Sequence, residues 1–333
     1  MLYLHCGWPR TGTSSLQDAL YRRRRDLGSA GTVFPLRWMS NLSPTHHGVS
    51  GMLKASLAGS SPFDELQSFL AANERVDVLL SAESITFWLT SEAKQNVLVA
   101  FLGAALEVVS VKCVWTLRRL DEEIRSLYLF AMSNQPDPPQ PAALYRVAER
   151  SLDPLFAGLR RVGEAVDENV AYARYDPAGA HQAELLRAFG IGGPIGEAIR
   201  RELERRPRLN SSLSQKQAAL LLNVEALSGR TGIDLDWAAL RKAIREGRLI
   251  FESDRHGELV SYEMRRTLHE NALTAARAAK FAPYIEFFAD AEIQETPALG
   301  LDLDVLDDRD VERVVALCGG TKAVSAGADQ GPG

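Results

Sequence analysis

Four short runs decide what this chain can fold into. LYLHC (Leu2–Cys6), VDVLLSAES (Val76–Ser84), VVSVKCVWTL (Val108–Leu117) and ENVAYARYD (Glu168–Asp176) are strand-like and mostly apolar. Runs of this kind fit strands buried on both faces. The chain between them is too long for hairpins, and parts of it repeat apolar residues at helical spacing. The connections therefore read as crossovers, and the strands as parallel. Thr13–Arg25 is one such helical segment, with Leu16, Ala19 and Leu20 on one stripe and Thr13 or Ser14 available as its cap. Its Arg22–Arg25 run complements a helix C-terminus. Ser91–Leu106 is a second helix, and a short one falls around Val49–Leu57, inside a Gly-, Ser- and Pro-rich loop from Gly31 to Pro62.

Beyond Asp176 the helical patterns dominate, over Gln182–Phe189, Glu197–Arg205, Ser214–Leu227, Trp237–Glu246 and Ser261–Ala279. The expected fold is α/β: a P-loop-like parallel sheet flanked by helices, with a helical C-terminal half. Residues 1–176 form the core, residues 177–318 a helical region of the same domain that covers the site, and residues 319–333 a flexible low-complexity tail.

With 333 residues, 46% apolar and 24% charged, the chain has the balance of an ordinary globular protein. A net charge of −5 argues against nucleic acid as a partner. Cys6, Cys113 and Cys318 lie too far apart for a metal knuckle, and they read as reduced thiols. No run reaches the ~18–20 apolar residues of a membrane span, and no signal segment opens the chain, so the expectation is a cytoplasmic protein without a membrane span.

Between the first strand and the first helix stands GWPRTGTS (Gly7–Ser14). A glycine-rich turn in that position aims backbone N–H groups and the helix dipole at an anion. Gly7 and Gly12 permit the curvature, while Thr11, Thr13, Ser14 and Ser15 add hydroxyls. The spacing is that of the Walker A loop, G-x-x-x-x-G-K-[ST], but Thr13 stands in place of the lysine and a cation appears earlier, as Arg10. A nucleoside triphosphatase also needs a strand-end aspartate for magnesium, and VDVLLSAES ends in Ala82-Glu83-Ser84 instead.

PRTGTSSLQ resembles the 5′-phosphosulfate loop of the sulfotransferases that use 3′-phosphoadenosine 5′-phosphosulfate (PAPS), commonly P-K-[ST]-G-T-[TS]. The resemblance implies metal-free sulfuryl transfer from PAPS, with PAP as product, and gives Arg10 the place of the family's lysine. A guanidinium keeps the charge but does not readily release a proton. The family grips the 3′-phosphate with a strand-end arginine and a serine eight residues later. VWTLRRLDEEIRSLY supplies Arg118 and Ser126 at that spacing, followed by the aromatic Tyr128; Leu120 replaces the family's usual proline. Taken without the resemblance, Arg118 and Ser126 equally suit an ordinary strand-end charge and a helix-surface hydroxyl. SAESITFW is similar to the E-K-[ST] region of carbohydrate sulfotransferases, with Ser84 replacing lysine. RPRLNSSLSQKQ (Arg206–Gln217) resembles a stretch of bacterial polysaccharide-type members. The implied acceptor is a hydroxyl, of a carbohydrate or a glycolipid.

Such a transfer needs a base and a group to stabilise charge on the bridging oxygen. Arg10 and the loop N–H groups suit the second task. Glu83 is the first candidate for the base, and His47, beside His46 in the long loop, is the second. Trp8, Trp38 and Trp88 are either stacking platforms or core. Two other readings stay open: a P-loop kinase with a displaced cation, and a nucleotide-binding protein without turnover.

Overall fold

The computed structural model describes residues 1–8, 11–40, 44–60, 62–132, 134, 140–205, 213–251, 259–295, 298, 301 and 303–318. Arg10, the Arg206–Ser212 part of the polar stretch and the tail 319–333 lie outside the described residues.

Five strands form one all-parallel sheet: β1 (Leu2–His5), β2 (Thr32–Val33), β3 (Asp77–Ser81), β4 (Val111–Leu117) and β5 (Val170–Arg174), in the order β2-β3-β1-β4-β5. β1 is central; Leu4 pairs with Leu80 of β3 on one side and with Cys113 of β4 on the other. Because β1 has a neighbour on each hydrogen-bonding edge and helices on both faces, all four of its residues are buried. The chain leaves β1 toward the β3 side and returns to it as β4 on the other. That is a topological switch, which places a crevice at the carboxyl ends of β1 and β4.

Tyr3 and His5 point to the face covered by the helix Thr13–Arg22. There Tyr3, Leu16, Leu20, Leu79 and Val114 pack with Leu185, Phe189 and Ile199 from the helices His181–Ala188 and Gly193–Glu204 and the turn between them. On the other face the helix Glu92–Leu106 packs against Leu152–Ala165.

The chain divides into two compact units. The first comprises Met1–Ile124, Tyr145–Ser211 and Arg266–Glu292; the second comprises Arg125–Leu144, Ser212–Arg265 and Ile293–Gly333. The division therefore does not fall at residue 176. Helices just beyond that point supply Leu185, Leu186 and Phe189 to the core beside the sheet, which ties them to the first unit. The second unit is helical, with Leu220, Leu221, Leu227, Leu240 and Val314 in its apolar core and a largely buried ion pair, Lys216–Asp310.

Several element boundaries differ from the sequence reading for visible reasons. The first helix stops at Arg22 and a second, Arg24–Ser29, follows. β3 ends at Ser81, and Glu83 opens a short 3₁₀ helix, Glu83–Trp88. The expected helix Ser214–Leu227 is two, Gln215–Leu222 and Val224–Thr231. They part at Asn223, whose side-chain amide donates to the carbonyls of Ala219 and Leu301. Ser214 does cap the first of these, in a capping box with Gln217. No helix of the described residues is long and apolar enough to cross a membrane.

Candidate functional site

The loop after β1 is carried by its neighbours. Cys6 N donates to Val114 O (2.8 Å) and Trp8 N to Thr116 O (3.2 Å), both on β4, while Ala82 N reaches His5 O (2.9 Å) from β3. Trp8 is buried against Tyr284, a packing role and not an exposed platform. Trp88 is buried too, and Trp38 packs on Phe69 and donates to Glu65. The Thr11 hydroxyl donates to Trp8 O at 2.6 Å, bracing the loop from within.

Gly12 then turns the chain at φ 70°, in the left-handed region that glycine tolerates, and occupies the N-cap position where Thr13 or Ser14 was expected. Among the described residues no side chain caps this helix, and its first turn holds no acid. The leading N–H groups of a helix have no intrahelical partner and stand at the positive end of its dipole. Ser14 and Ser15 stand half-buried beside them.

Arg118 is brought to the same place. His181 Nε2 lies 3.0 Å from Thr11 O, and Gln182 Nε2 donates to Gly12 O at 3.4 Å. A side chain at Gly12 would come within 3.8 Å of both His181 and Tyr175. The Tyr175 ring in turn carries the Arg118 guanidinium 4.5 Å from its centre. One aromatic ring therefore separates the strand-end arginine from the loop. Arg119 is held elsewhere, forked onto Asp121 at 2.7 and 3.0 Å. Ser126 is largely buried on the helix Leu120–Met132, within the second unit, as is Tyr128, whose phenol burial pushes up to about 12.

Glu83 meets the loop helix directly. Its Oε1 accepts from the Thr13 hydroxyl and from Gln17 Nε2 (3.0 Å). The two histidines separate in role. His46 is fully buried, accepts Ser81 N on Nδ1 (3.0 Å) and donates from Nε2 to Pro35 O (2.9 Å). The bond accepted from Ser81 N needs the neutral ring, and burial lowers its pKa. His47 is exposed at the start of the helix His47–Leu57.

No family model matches the chain, and no curated protein or solved structure matches it.

Sequence reasoning missed four participants: His5, Gln17, Tyr175 and His181. Gln17 had a usable signal, since it lies one helical turn after Thr13 on the same face. His181, far along the chain, had none. Among the described residues no group of His, Cys, Asp or Glu is arranged to hold a metal ion. A surface pocket of about 450 Å³, lined by Arg23, Arg201, Arg205 and Glu202, begins beyond the other end of the loop helix and does not belong to this site.

Proposed function

We propose that this chain is a sulfotransferase that moves a sulfuryl group from PAPS to an acceptor hydroxyl, of a carbohydrate or glycolipid, without metal. The observation that carries the reading is the convergence of an uncapped, glycine-turned helix start with Arg118 across the Tyr175 ring. An acid-free, uncapped first turn fits a phosphosulfate, and an arginine beside it fits a second, dianionic phosphate.

In this reading the loop N–H groups, Ser14 and Ser15 hold the 5′ end of the donor, while Thr11 keeps the loop in shape and Thr13 gives its hydroxyl hydrogen to Glu83. Arg118 takes the 3′-phosphate. Arg10 neutralises charge on the bridging oxygen. Glu83 is a poor neighbour for a phosphate and a suitable one for an acceptor hydroxyl, whose proton it takes as the new S–O bond forms. PAPS supplies the activated sulfuryl group.

One contact favours a second reading, phosphotransfer from Mg–ATP. The bond from Thr13 to Glu83 sets a carboxylate against the first turn, beside Ser14 at the P-loop Ser/Thr position, where P-loop enzymes hold magnesium. Calorimetric titration separates the two. PAP is expected to bind in the micromolar range without metal, and adenosine 5′-phosphosulfate, lacking the 3′-phosphate, much more weakly. Binding of Mg–ATP alone would establish the kinase reading, and no binding of any of the three would remove both.

A further inference from the structure

Beneath the loop lies a hydrogen that the protein itself does not use. His5 ends β1 with no exposed surface; its Nδ1 is 2.8 Å from Ser81 Oγ, and its Nε2 has no hydrogen-bond partner among the described residues. The surrounding network decides which nitrogen carries the proton. The Gln17 amide lies between Glu83 Oε1 (3.0 Å) and the Thr45 hydroxyl (2.9 Å). A carboxylate only accepts, so the nitrogen end of Gln17 faces Glu83 and the oxygen end takes the Thr45 hydrogen. The same nitrogen donates to Ser81 Oγ at 2.9 Å. Ser81 keeps its own hydrogen, and among the described residues His5 Nδ1 is the acceptor within its reach. The ring proton is left on Nε2. Burial, reinforced by nearby His181, drives the His5 pKa down to about 3, so the ring stays neutral.

Nε2 faces the loop floor. A Cβ built on Gly7 would lie 3.1 Å from His5 Nε2, 3.3 Å from Thr13 Cγ2 and 3.4 Å from Thr11 Oγ1. The donor thus sits against the first glycine of the loop, among the two threonines that flank Gly12. Phe189 packs against the imidazole with ring centres 5.5 Å apart, fixing it without offering a lone pair. An unpaired buried donor is destabilising, and in native proteins it calls for a specific explanation. Here it accompanies a helix start that also lacks a side-chain cap.

We propose that His5 Nε2–H donates to the oxyanion seated by the loop, a phosphoryl or sulfuryl oxygen that enters over Gly7. Gly7 is glycine, on this view, because any side chain would stand between donor and anion. The proposal rests on the loop being an anion seat. His5 adds a donor there without adding charge, and Gln17, through Ser81, holds the ring in the donating tautomer.

Two variants isolate the donor. His5→Asn keeps an acceptor near the Nδ1 position for Ser81 and deletes Nε2; His5→Gln returns an amide N–H close to the Nε2 position. In calorimetric titration His5→Asn is expected to weaken PAP binding about 10-fold, the scale of one hydrogen bond to a charged group, and His5→Gln to recover most of it. Unchanged PAP affinity in His5→Asn would overturn the assignment and leave the loop reading intact. A wild-type chain silent to PAP and Mg–ATP would remove both. Histidine-selective ¹⁵N spectra of the wild-type chain test the same point without relying on a variant to fold. The most acid-resistant Nε2 proton is expected to shift downfield on saturation with PAP and to stay still with adenosine; no shift with PAP would also overturn the assignment.

Discussion

Thr13 and Gln17 both donate to Oε1 of Glu83, an atom that glutamine reproduces as an amide oxygen. Glu83→Gln therefore removes the charge while both recorded bonds keep an acceptor, which separates a base from a brace. As the base, Glu83 is worth at least ~100-fold in turnover. The expected outcome is unchanged PAP affinity with PAP release from PAPS, in the presence of a competent acceptor, cut by that factor. Near-normal release would return the role to His47, which is exposed. If PAP binding itself fell, Glu83 would be a loop brace. His46 is a poor alternative base, because the bonds to Ser81 N and Pro35 O already occupy both of its ring nitrogens.

The helix His47–Leu57, bonded through Ser50 to Ser84 beside Glu83, can be tested through sign. Gly48, second in the helix His47–Leu57, donates to Trp38 O at 2.8 Å, and Trp38 itself sits at φ 65°. Glycine to alanine within a helix ordinarily stabilises by up to ~1 kcal/mol. Here the new Cβ would lie 2.7 Å from Trp38 Cβ and 2.9 Å from Trp38 O, atoms of a constrained turn that have little room to move. Gly48→Ala is expected to destabilise by ~1–3 kcal/mol, the range of an overpacked core, read as a lower urea midpoint at unchanged slope. A gain in stability would mean that the Trp38 turn is loose. Elements of this kind explain what the sequence disclosed and what it withheld. β1, β3 and β4 were legible because a parallel strand covered on both faces is mostly apolar. β5, a partly exposed edge strand, was legible through its short run of Val170, Ala171 and Tyr172, and Gly12 because a strand-to-helix turn of this curvature needs φ > 0. β2, with only Thr32 and Val33, is too short to leave a pattern. The convergence of His181, Tyr175 and Arg118 on Gly12 joins segments far apart in the chain, which periodicity cannot encode.

At the scale of the molecule, buried neutral imidazoles set the response to acid. His5, His46, His181 and His269 are each buried, and desolvation lowers each below the ordinary 6.5. For His46 and His181 the geometry agrees: Ser81 N and Asp176 N donate to the Nδ1 atoms, at 3.0 and 3.3 Å, so a second ring proton would meet an N–H. The unfolded chain titrates near 6.5, and the folded one lower. Between those values the unfolded state binds more protons, so stability is fully present above about pH 6.5 and falls as pH drops below it. Each fully suppressed group contributes a slope of ~1.4 kcal/mol per pH unit. All four belong to the first unit, so its unfolding transition is the one that moves, while that of the helical second unit shifts less. Urea unfolding at pH 7.5, 6.5 and 5.0 is expected to lose ~2 kcal/mol or more over the last interval, above the range where ordinary carboxylates titrate. His181→Gln, which removes one group, is expected to flatten the slope. A flat profile from 7.5 to 5.0 would mean that protons reach these rings in the folded state, and with them water would reach the loop floor that His5 lines.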